Sequence, residues 1–151
     1  MNTDNYWMKI AIEEALKAEK EGEVPVGAVL VKDGKIIARA HNQPILKNDA
    51  TAHAEIQLIR AAGIELDNYR LNNTIMYVTM EPCSMCIGAI IHARIERIIF
   101  GAYDTKLGAC DSHRIMTNYK SNYNINIQGG VLGKDCKNIL NDFFKSKRNS
   151  K

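Results

Sequence analysis

Two short stretches hold residues that could do chemistry together. Thr79-Met80-Glu81-Pro82-Cys83-Ser84-Met85-Cys86 carries two thiols three positions apart, and Thr51-Ala52-His53-Ala54-Glu55 carries an imidazole and a carboxylate. Two thiolates and an imidazole form a ligand set suited to zinc, and three protein ligands leave one tetrahedral position for water. Glu55 then remains as a base, so hydrolysis is the chemistry this group would perform. Cys-x-x-Cys by itself also marks redox sites and halves of structural zinc sites. A redox site has no need of the distant His-x-Glu, and a structural site needs a fourth ligand, for which Cys110 and Cys136 are the candidates. The paired pattern favours His53, Cys83 and Cys86 as ligands with Glu55 as the proton carrier.

These residues must be delivered to one point. Tyr6 to Glu21 has Met8, Ala11, Ile12, Ala15 and Leu16 at helical spacing, with Gly22 as a stop. Val24 to Val31 reads as a strand apolar on both faces, hence central in a covered sheet, with Pro25 at its start. Asp33-Gly34 predicts a tight hairpin into Lys35–Ala40, and His41-Asn42-Gln43-Pro44 ends that strand. A loop then leads to a helix over Ala54–Ala62, stopped by Gly63. His53 and Glu55 would be about 200° apart within a regular helix, so both can border one pocket only at its first turn. Thr74–Met80 is the next strand, and Cys83–Arg94 a helix whose i and i+3 thiols share one side. Amides at that helix start favour thiolate. Arg97–Gly101 completes a βαβ crossover, expected to be parallel and right-handed. Beyond an irregular stretch with a helical turn around His113 to Asn118, Asn124–Gln128 alternates like an edge strand. Gly129-Gly130 then turns into a last helix, Leu132 to about Lys147, with Ile139, Leu140, Phe143 and Phe144 on its buried face.

At 151 residues and 46% hydrophobic content, the chain suits one domain, residues 1–151, that can bury a core without disulfides. Met1 to Leu16 lacks the uninterrupted apolar run of a signal peptide, and no stretch approaches the roughly 20 apolar residues of a membrane span. The four cysteines therefore fit a reducing cytoplasm. Net charge is +3 but uneven: residues 1–23 hold six acidic and three basic side chains, residues 137–151 five basic and one acidic. The basic tail, from about 145 to 151, suits either a polyanionic partner or a solvated end. His41, His92 and His113 lack paired ligand spacing. His92 is placed to pack or cap near a helix end, and His113 is a candidate for a phosphate contact. Cys110 and Cys136 read as free thiols, and Met80 and Met85 as core residues beside the site.

His-x-Glu with Pro-Cys-x-x-Cys is the signature of zinc nucleobase deaminases. From Tyr6 to Arg148 the chain resembles the bacterial tRNA-specific adenosine deaminases, through Glu23-Val24-Pro25-Val26-Gly27-Ala28-Val29, Thr51-Ala52-His53-Ala54-Glu55-Ile56, Tyr69-Arg70-Leu71, Tyr77 to Ala89, Phe100-Gly101-Ala102-Tyr103-Asp104 and Asp142-Phe143-Phe144. The Glu-Pro-Cys-x-Met-Cys-x-Gly-Ala core is shared with guanine deaminases, so a deaminase of a free base such as guanine is the alternative. A non-catalytic zinc-stabilised RNA-binding module is another. The flanking strands and the Phe-Phe end favour the tRNA enzymes. The resemblance implies a three-layer α/β/α sandwich with a mixed five-stranded sheet of the cytidine deaminase type, a cytoplasmic homodimer, and one Zn2+ per subunit. It implies conversion of adenosine to inosine at the wobble position of a tRNA anticodon stem-loop. By matching position His53, Cys83 and Cys86 would hold the zinc and Glu55 would move protons. Asn42 would contact the target base, with Ala54, Phe144 and Arg148 as further substrate-facing positions, and Phe144 as both core and wall. After Lys106 the chain departs from the family's small Gly-Ser stretch, reading Leu107-Gly108-Ala109-Cys110-Asp111-Ser112-His113.

Overall fold

The computed structural model describes residues 3–112 and 125–149. The expectations for His113–Asn118, for Asn124 and for the last two residues of the tail lie outside them. Asp33 and Gly34 take positive φ, 51° and 72°, as the tight hairpin requires. They fold β1 (Gly27–Lys32) onto β2 (Lys35–His41) as an antiparallel pair. The strand starts three residues later than its apolar run, and Pro25 precedes it, because the chain first bends with the Val26 amide donating to the Val24 carbonyl. On its other side β1 pairs antiparallel with β3 (Ile75–Met80). β3 is parallel to β4 (Arg97–Ala102), which is parallel to β5 (Asn126–Gln128). The mixed five-stranded order β2-β1-β3-β4-β5 makes β1 a central strand, as its continuous hydrophobicity predicts.

Alternation sorts the sheet into two faces. Gly27, Val29, Tyr77, Ile99 and Gly101 share the face covered by α1 (Thr3–Lys20) and α5 (Gly133–Asn149). The Tyr77 hydroxyl donates to the Asp4 carboxylate at 2.7 Å. A Cβ on Gly27 would lie 2.1 Å from the Ala11 carbonyl oxygen, and one on Gly101 would lie 2.4 Å from Cys136 Sγ, so both helices approach where side chains are missing. Ala28, Leu30, Met76, Val78, Ile98 and Phe100 form the opposite face, on which α3 (Ala54–Leu66) and α4 (Ser84–His92) pack through Leu58, Ala62, Ile87 and Ile90. The result is the expected α/β/α sandwich.

Several expectations shift. Close approach at Gly27 turns small residues of α1 toward the sheet, Ala11, Ala15 and Ala18, so Leu16 is 40% exposed while Glu14 is buried. A short helix, α2 (Pro44–Lys47), occupies the loop after β2. Gly63 does not stop α3, which continues until Asp67 takes the left-handed conformation, φ 50°, and its amide bonds back to Gly63 and Ile64. α4 ends at His92, two residues early, and Arg94 has φ 64°. Leu140 and Phe143 are buried on α5 as expected, but Phe144 is 42% exposed because it sits one position around the helix from Phe143. Met85 is likewise exposed, on the outer side of α4.

Candidate active site

Each chemistry-bearing segment enters at the start of a helix. His53 is the N-cap of α3, with extended backbone (φ −67°, ψ 155°), and Glu55 lies in the first turn. The 200° conflict of a regular helix disappears because His53 is outside it. His53 makes no side-chain cap; instead Asn42, just beyond β2, accepts the Ala54 amide on its Oδ1 at 2.7 Å. Cys83 is the extended N-cap of α4, and Cys86 is one turn further on. The donor atoms of His53, Cys83 and Cys86 all lie within 4.8 Å of one another. His53 Nδ1 is 3.7 Å from Cys83 Sγ and 3.5 Å from Cys86 Sγ. Zinc–sulfur and zinc–nitrogen bonds at a tetrahedral angle would separate such atoms by about 3.6 Å, so the side chains fit a zinc ion as they stand.

Electrostatics fit as well. The neighbouring Cys86 thiol and the His53 ring pull the Cys83 thiol down to about 4, and contact with Cys83 together with burial pushes Cys86 well up. A divalent cation between the three donors would allow both to be thiolates. Contact with Cys83 also raises His53. Burial pushes Glu55 up to about 7.

Asn42, Pro44, His53, Glu55, Cys83 and Leu107 help line a cavity of about 300 Å3. Its mostly apolar lining with a few convergent polar groups is that of a small-molecule or single-base site. Because Asn42 Oδ1 already holds Ala54, its amide nitrogen is what it offers a ligand. Two outer grooves adjoin the cavity. One, about 550 Å3, shares Met80 and Asp104 with it and includes Tyr103, Lys106, Lys134 and Lys137. The other, about 490 Å3, shares Val24, Asn42 and Pro44 and includes Ile45 and Lys147. Phe144 lines both grooves but not the cavity. Ala54 is fully buried with its amide engaged by Asn42, and Arg148 is exposed on α5 and lines none of these three spaces.

Other groups lie elsewhere. His41 has Glu14 at 3.1 Å from Nδ1 and Glu21 at 2.9 Å from Nε2. His92 is exposed in the last turn of α4. Cys110 and Cys136 are free, buried thiols outside the three-donor group, and burial raises both, Cys136 to about 12.

Sequence reasoning missed two buried carboxylates that bond the loops around the cavity. Glu81 accepts the amides of Asp104 at 3.0 Å and of Asp111 and Ser112 at 2.7 Å, and the Ser112 hydroxyl at 2.5 Å. Glu23 accepts the amides of Ile45 at 3.2 Å and Leu46 at 2.8 Å. Their partners are mainly backbone groups, which have no signature in residue type. The one available cue was a lone Glu directly before Pro-Cys.

Comparison with known proteins agrees with this geometry. Residues 1–102 match the model of the cytidine and deoxycytidylate deaminase zinc-binding region. The chain is 48% identical to the tRNA-specific adenosine deaminase of Buchnera aphidicola subsp. Schizaphis graminum over 148 residues, 97% of each chain. It superposes with TM-score 0.86 and 43% identity, over 89% of its length and 99% of the other's, on a structure from studies of A-to-I editing by tRNA:A34 deaminases at the wobble position of transfer RNA. A guanine deaminase from Bacillus subtilis gives TM-score 0.66 at 32% identity, over 99% of this chain and 95% of that one. With its fold, its His/Cys/Cys donors and its near full-length likeness all in agreement, this chain belongs to the tRNA-specific adenosine deaminases, within the cytidine and deoxycytidylate deaminase zinc-binding family.

Proposed function

We propose that this chain, as a single deaminase domain, hydrolyses adenosine to inosine and ammonia at the wobble position of a tRNA anticodon. His53, Cys83 and Cys86 hold one zinc ion, and Glu55 moves the protons. The observation that carries the reading is the pair of 3.5 and 3.7 Å separations between His53 and the two sulfurs, beside a carboxylate the ligand set does not use. Zinc held there supplies the acidification that makes a water nucleophilic near neutral pH. Glu55 accepts one proton of the water and delivers it to N1 of the purine, then takes the second from the hydroxyl now on C6 and passes it to the amino group, which leaves as ammonia. A proton affinity near 7 suits both directions of transfer. The Asn42 amide nitrogen donates to an acceptor on the base edge and orients it.

A tRNA loop suits the surroundings, because it presents an unpaired base without the cost of melting a duplex. Lys106, Lys134, Lys137 and Lys147 line the outer grooves, where phosphates flanking the target would run. Phe144, between those grooves, offers a face for an unstacked neighbouring base, and Arg148 extends the basic end of α5. Exposed Met85, Ile64 at 82% and Tyr69 at 74% provide apolar surface for a second copy in a homodimer. Among the described residues no helix is long and apolar enough to cross a membrane, and the reading places the enzyme with the tRNA pool of the cytoplasm.

The test incubates zinc-loaded protein with an anticodon stem-loop carrying adenosine at the wobble position, and separately with guanine, adenine and adenosine. Inosine in the stem-loop alone is expected. Product from free guanine alone would move the substrate assignment to a free base.

A further inference from the structure

We infer that Glu23 and Glu81 are positioning residues that fix the two rim loops of the cavity and so determine which substrates reach Glu55; the inference rests on the substrate reading above. Two loops contribute to the rim. The first, 42–47, supplies Asn42 and Pro44; the second, 104–112, supplies Asp104 and Leu107. The outermost side chains of these loops do not anchor them. Ile45 is 71% exposed, Leu46 61% and Leu107 69%.

Ala109 and Cys110 anchor the base of the second loop in the core, and the Gln43 amide bonds the Ala52 carbonyl in the first; beyond these, each loop is tied by its amides to a buried carboxylate. Glu23, 1% exposed, accepts the Ile45 and Leu46 amides at the start of α2. Glu81, 3% exposed, accepts three amides and a hydroxyl from 104–112. The second loop is pressed onto its carboxylate: a Cβ on Gly108 would lie 2.4 Å from Glu81 Oε1. Gly108 also bridges to Cys83, and the Ala109 amide donates to the Pro82 carbonyl. A carboxylate accepts on both oxygens, so backbone amides aim at it whatever side chains the loop carries. The departure over Leu107 to His113 is therefore, in its described part 107–112, compatible with a rim held in place, because three of the four groups that donate to Glu81 from the loop are main-chain amides.

Glutamine keeps the shape of glutamate but turns one acceptor oxygen into a donor nitrogen, which faces the loop amides with the wrong polarity. Glu81→Gln and Glu23→Gln are tested in the zinc-loaded enzyme by zinc content, peptide-resolved hydrogen exchange, and kcat and KM for the stem-loop. Glu81→Gln is expected to speed exchange in 104–112 and not in 43–47, and Glu23→Gln to do the reverse. Each raises KM roughly tenfold, with kcat within about threefold and one zinc retained. The double variant multiplies the two KM effects, since the loops are separate. Unchanged KM in both single variants overturns the inference. So does a fall in kcat that tracks zinc loss, which would make Glu81 only a prop for Cys83. If Glu81→Gln does not fold, Ser112→Ala removes one of its four donors; a KM rise of about threefold supports the assignment and an unchanged KM refutes it. Failure of the unaltered protein to turn over the stem-loop would sink the proposed function instead, and the exchange measurement would still decide whether the carboxylates hold the loops.

Discussion

Glu55 and Glu81 are both buried and border the same cavity, yet their proton affinities move in opposite directions. Burial raises Glu55 to about 7. Burial also opposes the charge of Glu81, but the Ser112 hydroxyl and the amides of Asp111, Ser112 and Asp104 outweigh it and hold that carboxyl below its ordinary range. At Glu55 burial outweighs the hydrogen bonds from its own backbone and from Cys86, which brings its proton affinity toward neutrality. The other carboxylate is saturated with donors and serves as a fixed anion that orders main chain. The proton-transfer role proposed for Glu55 and the scaffolding role proposed for Glu81 thus go with opposite solvation of the same functional group.

The sharpest separation comes from removing a ligand. Cys83→Ala and Cys86→Ala should each lose zinc, lower the melting temperature and abolish turnover, because metal binding is coupled to folding. Hydrogen exchange in 104–112 should nonetheless remain slow under conditions where the variants are folded. Fast exchange there would mean that the scaffold depends on the metal and the two roles are not separable. Glu55→Gln should keep zinc and lose turnover by about 10³-fold. Since the folded state raises the pKa of Glu55, its ionisation favours unfolding as pH rises from about 4.5 through 7. The glutamine variant should therefore melt no lower than the parent at pH 8. Zinc loss in this variant would make Glu55 a ligand and collapse the contrast with Glu81.

Glu14 extends the comparison to a carboxylate satisfied by cations. Burial works against its charge, but Lys17 at 2.7 Å, the His41 ring and Arg39 at 3.0 Å together lower its pKa below 4.5. Its contribution is therefore present above about 4.5 and lost as pH falls below it. Glu14→Gln should cost about 1–2 kcal/mol at pH 7 and less near pH 3, read from denaturant melts at both. An equal cost at both would show that packing, not charge, is what Glu14 contributes. The smallest effect belongs to the tail. Replacing the exposed Lys145 and Arg148 by Ser should weaken stem-loop binding a few-fold and reduce the salt slope by about 1–2. An unchanged slope would make this end of α5 a solvated terminus.

The grouping of His53, Cys83 and Cys86 was legible because donors suited to zinc are written in side-chain type and spacing, and helix starts carry recognisable cues such as Pro82 before Cys83. The Asp33-Gly34 hairpin and the central β1 were legible for the same reason. Glu81 and Glu23 were not, since their partners are mostly main-chain amides up to 31 residues away. Gly63 misled because a later residue, Asp67, supplies the left-handed cap. Leu16 misled because the separation between α1 and β1 is set by a glycine on the strand, which periodicity along the helix does not encode.

The position of β1 between β2 and β3 has a consequence for the order of assembly. The β1–β2 hairpin and the β3–α4–β4 unit can each form from neighbouring chain. They meet along the antiparallel seam from Ala28↔Val78 to Val31↔Ile75, with the Gly27 amide donating to the Thr79 hydroxyl beside it. His53 follows the first unit and the two cysteines belong to the second, 30 and 33 residues further on. Closing that seam is the slow, long-range event expected of such a topology, and it completes the donor set. During refolding, capture of metal by all three side chains would therefore time the docking of one half of the sheet onto the other.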